Sequence, residues 1–126
     1  MKYKRFEELP VWKDAIELAV RTFALTAKPC FRGHTGTRNQ LENAVVSISN
    51  NIAEGFERGT TNELLNFIYI SRGSAGETRS MYCLIERLPE FHDLRSEIES
   101  GKHFATTSSL GRLSAKHRDP GHSISH

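Results

Sequence analysis

The residues of this chain that could hold a metal or carry out acid–base work are six histidines, two cysteines and a scatter of carboxylates. His117, His122 and His126 are spaced five and four apart across a Pro-Gly, close to the C-terminus, with no helical periodicity to preorganise them. His34, His92 and His103 are scattered and have no Cys or carboxylate at metal-ligand spacing. Glu54 and Glu77 could serve as a carboxylate pair in a bundle core. Metal-binding bundles of that kind use Glu-x-x-His on two helices, and Glu54-x-x-Glu57 and Glu77-x-x-Ser80 lack the His. Ordinary pairing is expected instead, Glu54 with Arg58 one turn on and Glu77 with a cation of another helix. There is no Gly-x-Ser-x-Gly elbow, His-Glu-x-x-His pair, phosphate loop or dinucleotide fingerprint. The chain reads as no enzyme, with no cofactor, no metal and no small-molecule substrate.

The cations carry the other chemistry. Net charge is only +2, too little by itself to announce nucleic-acid binding. Its distribution says more: residues 1–40 hold eight Lys/Arg against four Asp/Glu (+4), residues 41–90 four against seven (−3), and residues 91–126 five against four (+1). Lys2, Lys4, Arg5, Lys13, Arg21 and Lys28 are therefore the candidate nucleic-acid contacts, directed at backbone phosphate and sensitive to salt. The same charges also fit a solvated helix face. The acidic middle fits an alternative, a scaffold that binds protein partners and no nucleic acid.

These side chains need elements to hold them. Pro10 suits a first helical turn, and Val11, Ala15, Leu18, Thr22 and Leu25, widened by Trp12 and Ala19, repeat at helical spacing until Pro29. Residues 29–36 read as a loop. Thr37-x-x-Gln40 matches a capping box and opens a second helix with the core stripe Leu41, Ala44, Val45, Ile48, Ile52 and Phe56. Beside it runs a polar line of Gln40, Asn43, Ser47, Asn51, Glu54 and Arg58, placed to be covered where helices meet. Val46 and Ala53 fall on a third side, and a helix apolar on more than one side has more than one neighbour. Gly59 breaks the pattern. Thr60-x-x-Glu63 caps a third helix from about Thr61 to Leu88, with Leu64, Phe67, Ile68, Ser71, Ala75, Thr78, Tyr82 and Ile85 inward. Its small residues at 71–76, like Val46 and Ala53, are expected at helix–helix or subunit contacts. Pro89 ends it. Phe91, Leu94 and Ile98 carry a weaker fourth helix, eroded by Gly101, Thr106, Thr107, Ser108, Ser109 and Gly111.

The fold class is all-α, an antiparallel up-down-up-down four-helix bundle over residues 1–113 with a disordered tail at 114–126. At 126 residues the chain is long enough for one core without staples. No apolar run reaches the roughly 20 residues of a membrane helix. With no export signal, Cys30 and Cys83 are expected as free thiols in a cytoplasmic setting.

Three segments resemble one family, the bacterial four-helix-bundle proteins encoded in intervening sequences of 23S ribosomal RNA genes. They are Phe6-Glu7-Glu8-Leu9-Pro10-Val11-Trp12-Lys13-Asp14-Ala15, then Gln40-Leu41 with Ala44-Val45-Val46-Ser47-Ile48 and Asn51-Ile52-Ala53-Glu54-Gly55-Phe56-x-Arg58-Gly59, then Phe67-Ile68-Tyr69-Ile70-Ser71-Arg72-Gly73-Ser74 with Glu77. The likeness covers about residues 6–85. It implies a non-catalytic homo-oligomer, typically a pentameric ring, related to the accessory variability determinant proteins of retroelements, which bind nucleic acid. Trp12, Ser47, Asn51, Glu54, Gly55, Arg58, Arg72, Gly73, Ser74 and Glu77 are the signature residues, expected in packing and assembly. The chain departs from the pattern at Glu42 and Asn43, where basic residues are usual, at Ala75-Gly76, and beyond Leu88.

Overall fold

The computed structural model describes residues 2–116, and every described element is helical. Helix α1 spans Pro10–Thr26, with Pro10 in its first turn and Leu9 extended before it. Its inward face is Ala15, Leu18, Ala19, Thr22, Leu25 and Thr26, all buried; Val11 and Trp12 are half-buried at its edge. The connection after it is not plain loop. Pro29–Phe31 make a 3₁₀ turn that sets Phe31 against Phe91, ring centroids 4.6 Å apart.

Helix α2 spans Thr35–Glu57 and begins two residues before the expected capping box. Gly33, at φ 85°, turns the chain in the left-handed region that glycine adopts freely. His34 then accepts the Arg38 N–H at 2.9 Å and rests its ring 5.0 Å from that of Phe91. Tertiary packing of His34, rather than a hydroxyl cap, sets this start. The other end follows expectation: Gly59 has φ 89°, and the Thr60 hydroxyl accepts the Glu63 N–H at 3.2 Å to open α3, Thr61–Arg87.

Helices α2 and α3 run antiparallel. Gly55 meets Phe67, the Ser71 hydroxyl donates to the Ile48 carbonyl at 2.9 Å, and Ser47 meets Ser74 at 2.8 Å, so one number rises as the other falls. Leu88 is extended before Pro89, which ends α3 and starts a 3₁₀ segment through Leu94. The fourth position is then filled by two helices, α4 (Arg95–Thr107) and α5 (Ser109–Lys116). Phe91, Leu94, Ile98, Ala105, Leu110 and Leu113 are all buried. Thr106 and Thr107 return their hydroxyls to the Lys102 and His103 carbonyls at 2.9 Å each, an alternative to the next helical turn. Asp14 of α1 accepts both the Ser109 N–H at 3.0 Å and its hydroxyl at 2.6 Å, anchoring the first turn of α5.

The two glycines expected to weaken this region instead permit its packing. A Cβ on Gly101 would lie 2.7 Å from the Tyr82 ring, and one on Gly111 would strike the Thr106 carbonyl oxygen. Helix α5 extends three residues past Leu113, where the tail was expected to begin; the rest of that expected tail, with His117, His122 and His126, lies outside the described residues.

Helix α1 packs against α2 on one side and α4–α5 on the other, as α3 does, so α1 and α3 oppose each other across the core. Tyr82 spans that core to the Thr22 hydroxyl at 2.8 Å. Burial pushes the Tyr82 phenol above its ordinary value of 10.0. The unfolded chain therefore loses this proton first as pH rises, and stability should fall from about pH 10 upward, through the raised folded value. Urea unfolding of wild type and Tyr82→Phe at about pH 8 and 11 checks this: the gap between them should narrow or invert at the higher pH.

Candidate functional site

Helix geometry divides the signature residues into a seam and an outer surface. The seam joins α2 to α3. Ser47 meets Ser74, and the Asn51 amide donates to both the Ser47 carbonyl at 2.8 Å and its hydroxyl at 2.9 Å. Gly55 is buried beneath Phe67: a Cβ there would lie 2.6 Å from Phe67 Cβ and 3.3 Å from Leu64 Cα. Arg58 bridges Glu54 at 3.0 Å and Glu63 at 3.5 Å and stacks over the Phe67 ring. Ser47 and Asn51 of the polar line are thus half-buried where the helices meet, whereas Gln40, Asn43, Glu54 and Arg58 remain exposed. Their chemistry is that of packing: hydroxyl and amide pairs satisfied at close approach.

Trp12 stands edge-on to Phe6, ring centroids 5.2 Å apart, and ties the N-terminal segment to α1. Arg72 is half-buried, its guanidinium 4.8 Å from the Tyr69 ring. Two signature residues do not pack as expected. Gly73 is exposed, and apart from its chain neighbours and its own helix backbone no described atom lies within 4 Å of where a Cβ would stand. Glu77 is also exposed, and the cation expected from another helix does not reach it; among the described residues it has no ion pair.

The six candidate nucleic-acid contacts are all exposed but do not form one patch. Lys2, Lys4 and Arg5 precede the 3₁₀ turn at Phe6–Glu8, which packs on α1 and α2. Lys13 lies one turn into α1, and Lys28 lies past its far end, extended before the 3₁₀ turn at Pro29–Phe31. Arg5 is paired with Glu7 at 3.0 Å. Arg21 is paired with Glu17 at 2.8 Å, donates to Ser100, and stacks 4.4 Å over Phe104. Arg21 and Lys28 share a groove of about 510 Å³ with Ser96, Glu97 and Ser100, whose mixed charge favours no single ion. Lys2, Lys4, Lys13 and Lys28 have no ion pair among the described residues. Of the six candidates, those four lysines are the ones left unpaired.

The most conspicuous outer feature is apolar. On α1, Val20 is 60% exposed and Phe23 43%; on α3, Ile70 is 51% exposed, Tyr69 48%, Leu84 46% and Leu65 40%. Ile16, Val20 and Phe23 share one side of α1 at spacings of four and three, and Ile70, Glu77 and Leu84 share one side of α3 at sevens. Sequence reasoning passed over both because it followed each helix's stronger core stripe; the signal was a second apolar periodicity on the same helices. Val46 and Ala53, expected at helix–helix or subunit contacts, are half-buried, with Val46 packed against the core.

Cys30 is half-buried and Cys83 exposed, both as free thiols, and burial pushes the Cys30 thiol up. Among the described residues no three His, Cys, Asp or Glu side chains gather at metal-binding distance, and no helix is long and apolar enough to cross a membrane.

A family model described as 23S rRNA-intervening sequence protein matches residues 7–106. The match takes in α1 to α3 and nearly all of α4, beyond residue 85 where the resemblance read from the sequence ended. Comparison with curated proteins and with solved structures gave no match.

Proposed function

The chain belongs to the 23S rRNA-intervening sequence protein family, and from that premise we propose a non-catalytic, self-associating helical bundle that presents several basic ends to RNA or DNA. The observation that carries this reading is the pair of exposed apolar stripes on α1 and α3, helices on opposite sides of the core. Two unlike patches facing apart favour head-to-tail association. Such contacts close into a ring when the rotation per step divides the circle; the family resemblance points to five copies. Each copy contributes Lys2, Lys4, Lys13 and Lys28. A few phosphate contacts that are weak singly become strong when repeated on one particle.

The test joins mass and salt. Light scattering of the full chain should return a multiple of the 14.3 kDa protomer; a monomer at high concentration removes the self-association. Fluorescence anisotropy with a structured RNA and a DNA duplex should show binding at about 50 mM salt that weakens steeply at about 200 mM. The combined Lys2→Ala, Lys4→Ala, Lys28→Ala variant should keep its mass and lose about 0.9 in log–log salt slope per lost duplex phosphate contact. An assembled protein with no binding at the lower salt leaves the second reading, a protein-binding scaffold, which the acidic residues 41–90 favour.

A further inference from the structure

Helices α1 and α3 point the same way in the protomer: Val11 lines one groove with Leu65 and Ile68, and further on Thr22 meets Tyr82. Helix α2 packs on both and runs the other way. The Thr26 hydroxyl of α1 donates to Glu42 of α2 at 2.6 Å, whereas Asp14 and Arg21 reach α5 and α4. Phe23 stands one turn before Thr26 and Ile16 seven residues before Phe23, so both lie on the α2 side of α1, with Val20 just outside them. Val46 and Ala53 follow Glu42 by four and eleven residues and lie on the α1 side of α2. Half-buried Ile16, Val46 and Ala53, with exposed Val20 and Phe23, form one apolar strip along the α1–α2 seam. A second strip runs along the outer side of α3. There Ile70 and Leu84 are exposed, and Glu77 stands midway without an ion pair among the described residues. Gly73 leaves the backbone open between Ile70 and Glu77.

The two strips stand at one height in the bundle. Relative to the Thr22–Tyr82 link, the strip on α1 is centred between two and three residues back and that on α3 five back. The difference is about 4 Å, less than one helical turn. Rotation about an axis parallel to the bundle moves nothing along that axis and inverts no helix. Copies in such a ring therefore join only through patches of equal height, with α1 and α3 parallel. Because α3 opposes α1 across the core and the seam strip is set toward α2, each added copy turns in the same sense. We infer that α3 of one copy lies along the α1–α2 seam of the next, parallel to that copy's α1. Ile70 then falls beside Ile16 and Ala53, Val20 over the open backbone between Gly73 and Glu77, and Leu84 past Phe23. Since Ser74 is level with Ser47, Glu77 is level with position 44 of α2, and the exposed Asn43 amide of the neighbouring copy donates to its carboxylate. The contact uses none of Lys2, Lys4, Lys13 and Lys28. It rests on the self-association proposed above and specifies which faces meet and in which direction.

Sedimentation of full-length variants tests the faces. Val20→Asp with Phe23→Asp spoils the seam strip, and Ile70→Asp with Leu84→Asp spoils the α3 strip. All four side chains are exposed, so each variant should keep the wild-type helix content by circular dichroism. Each variant alone should associate about 100-fold more weakly than wild type, or worse. Mixed in equal amounts, one supplies an intact α3 strip and the other an intact seam strip, so the mixture should form a dimer that grows no further. Direction is read from cysteine pairs in a Cys30→Ser, Cys83→Ser background. Ile16→Cys with Ile70→Cys should join copies into a ladder with a short thiol crosslinker, and Ile16→Cys with Leu84→Cys should not. Within one protomer these positions lie on helices that oppose each other across the core, so the link forms between copies. This contact is wrong and self-association stands if wild type assembles but either variant alone does so too, or the mixture stays monomeric. The same holds if the first cysteine pair crosslinks no better than the second. If wild type never assembles, both fall.

Discussion

Gly55→Val is expected to lower the free energy of unfolding by about 3 kcal/mol. The first atom of any side chain at this position would lie 2.6 Å from Phe67 Cβ, 3.2 Å from its Cγ and 3.3 Å from Leu64 Cα. These atoms belong to the backbone and to the root of a side chain, so no rotamer change relieves the clash. The helices must separate. Separation propagates along the seam to the Ser47–Ser74 pair and the Ser71 to Ile48 bond, each worth about 1 kcal/mol. Overpacking contributes a further 1–3 kcal/mol or so. Urea unfolding should show a lower midpoint with an unchanged slope, since little exposed area changes. A loss below about 1 kcal/mol would mean that α2 and α3 are not this close.

Tyr82→Ala should remove about 4 kcal/mol, and Tyr82→Phe about 1. The ring is 1% exposed and is the largest of the fully buried side chains. It joins three helices: it stands on α3, its hydroxyl meets Thr22 of α1, and its edge fills the space left by Gly101 of α4. Alanine leaves a cavity at that crossing. Phenylalanine keeps the packing and leaves only the Thr22 hydroxyl to find another partner. The same geometry makes Gly101→Ala destabilising in wild type but nearly neutral, or restoring, once Tyr82 is alanine. A double-mutant cycle should report a coupling of about 1–3 kcal/mol; additivity would show that the ring does not rest on Gly101.

Much of this architecture is legible in short-range patterns. Pro10 opens α1, the Thr60–Glu63 box opens α3, Pro89 closes it, and the inward residues follow a 3.6-residue period. Each is a local device, decided by a proline ring, a hydroxyl within one turn, or side chains on one face. The start of α2 was less legible, since the chain contains an attractive capping box at Thr37 and the helix begins at Thr35. What overrides the box is His34 packed on Phe91, some 57 positions away in the sequence. In the α4–α5 region, local propensity pointed the wrong way. Gly101 and Gly111 lower helix propensity taken one residue at a time, but their missing side chains are what Tyr82 and Thr106 require.

The candidate surface divides on the same line. The Gly55 seam belongs to a pattern that the residue order alone made recognisable, and so does the basic excess of the first forty residues. Which candidate cations remain free is a tertiary matter: Arg5 and Arg21 are paired with neighbours, whereas Lys2, Lys4, Lys13 and Lys28 have no ion pair among the described residues. So is the exposure of Val20, Ile70 and Leu84, because the burial of one stripe of a helix does not state whether a neighbour covers the other. By itself the sequence determined α1 and α3, the signals that start them and the inward faces of the helices, since those depend on contacts within a turn or two. Only the tertiary structure decided how closely the helices approach, which glycines make room and which charges lack partners. Those properties depend on atoms that the chain brings together from far apart.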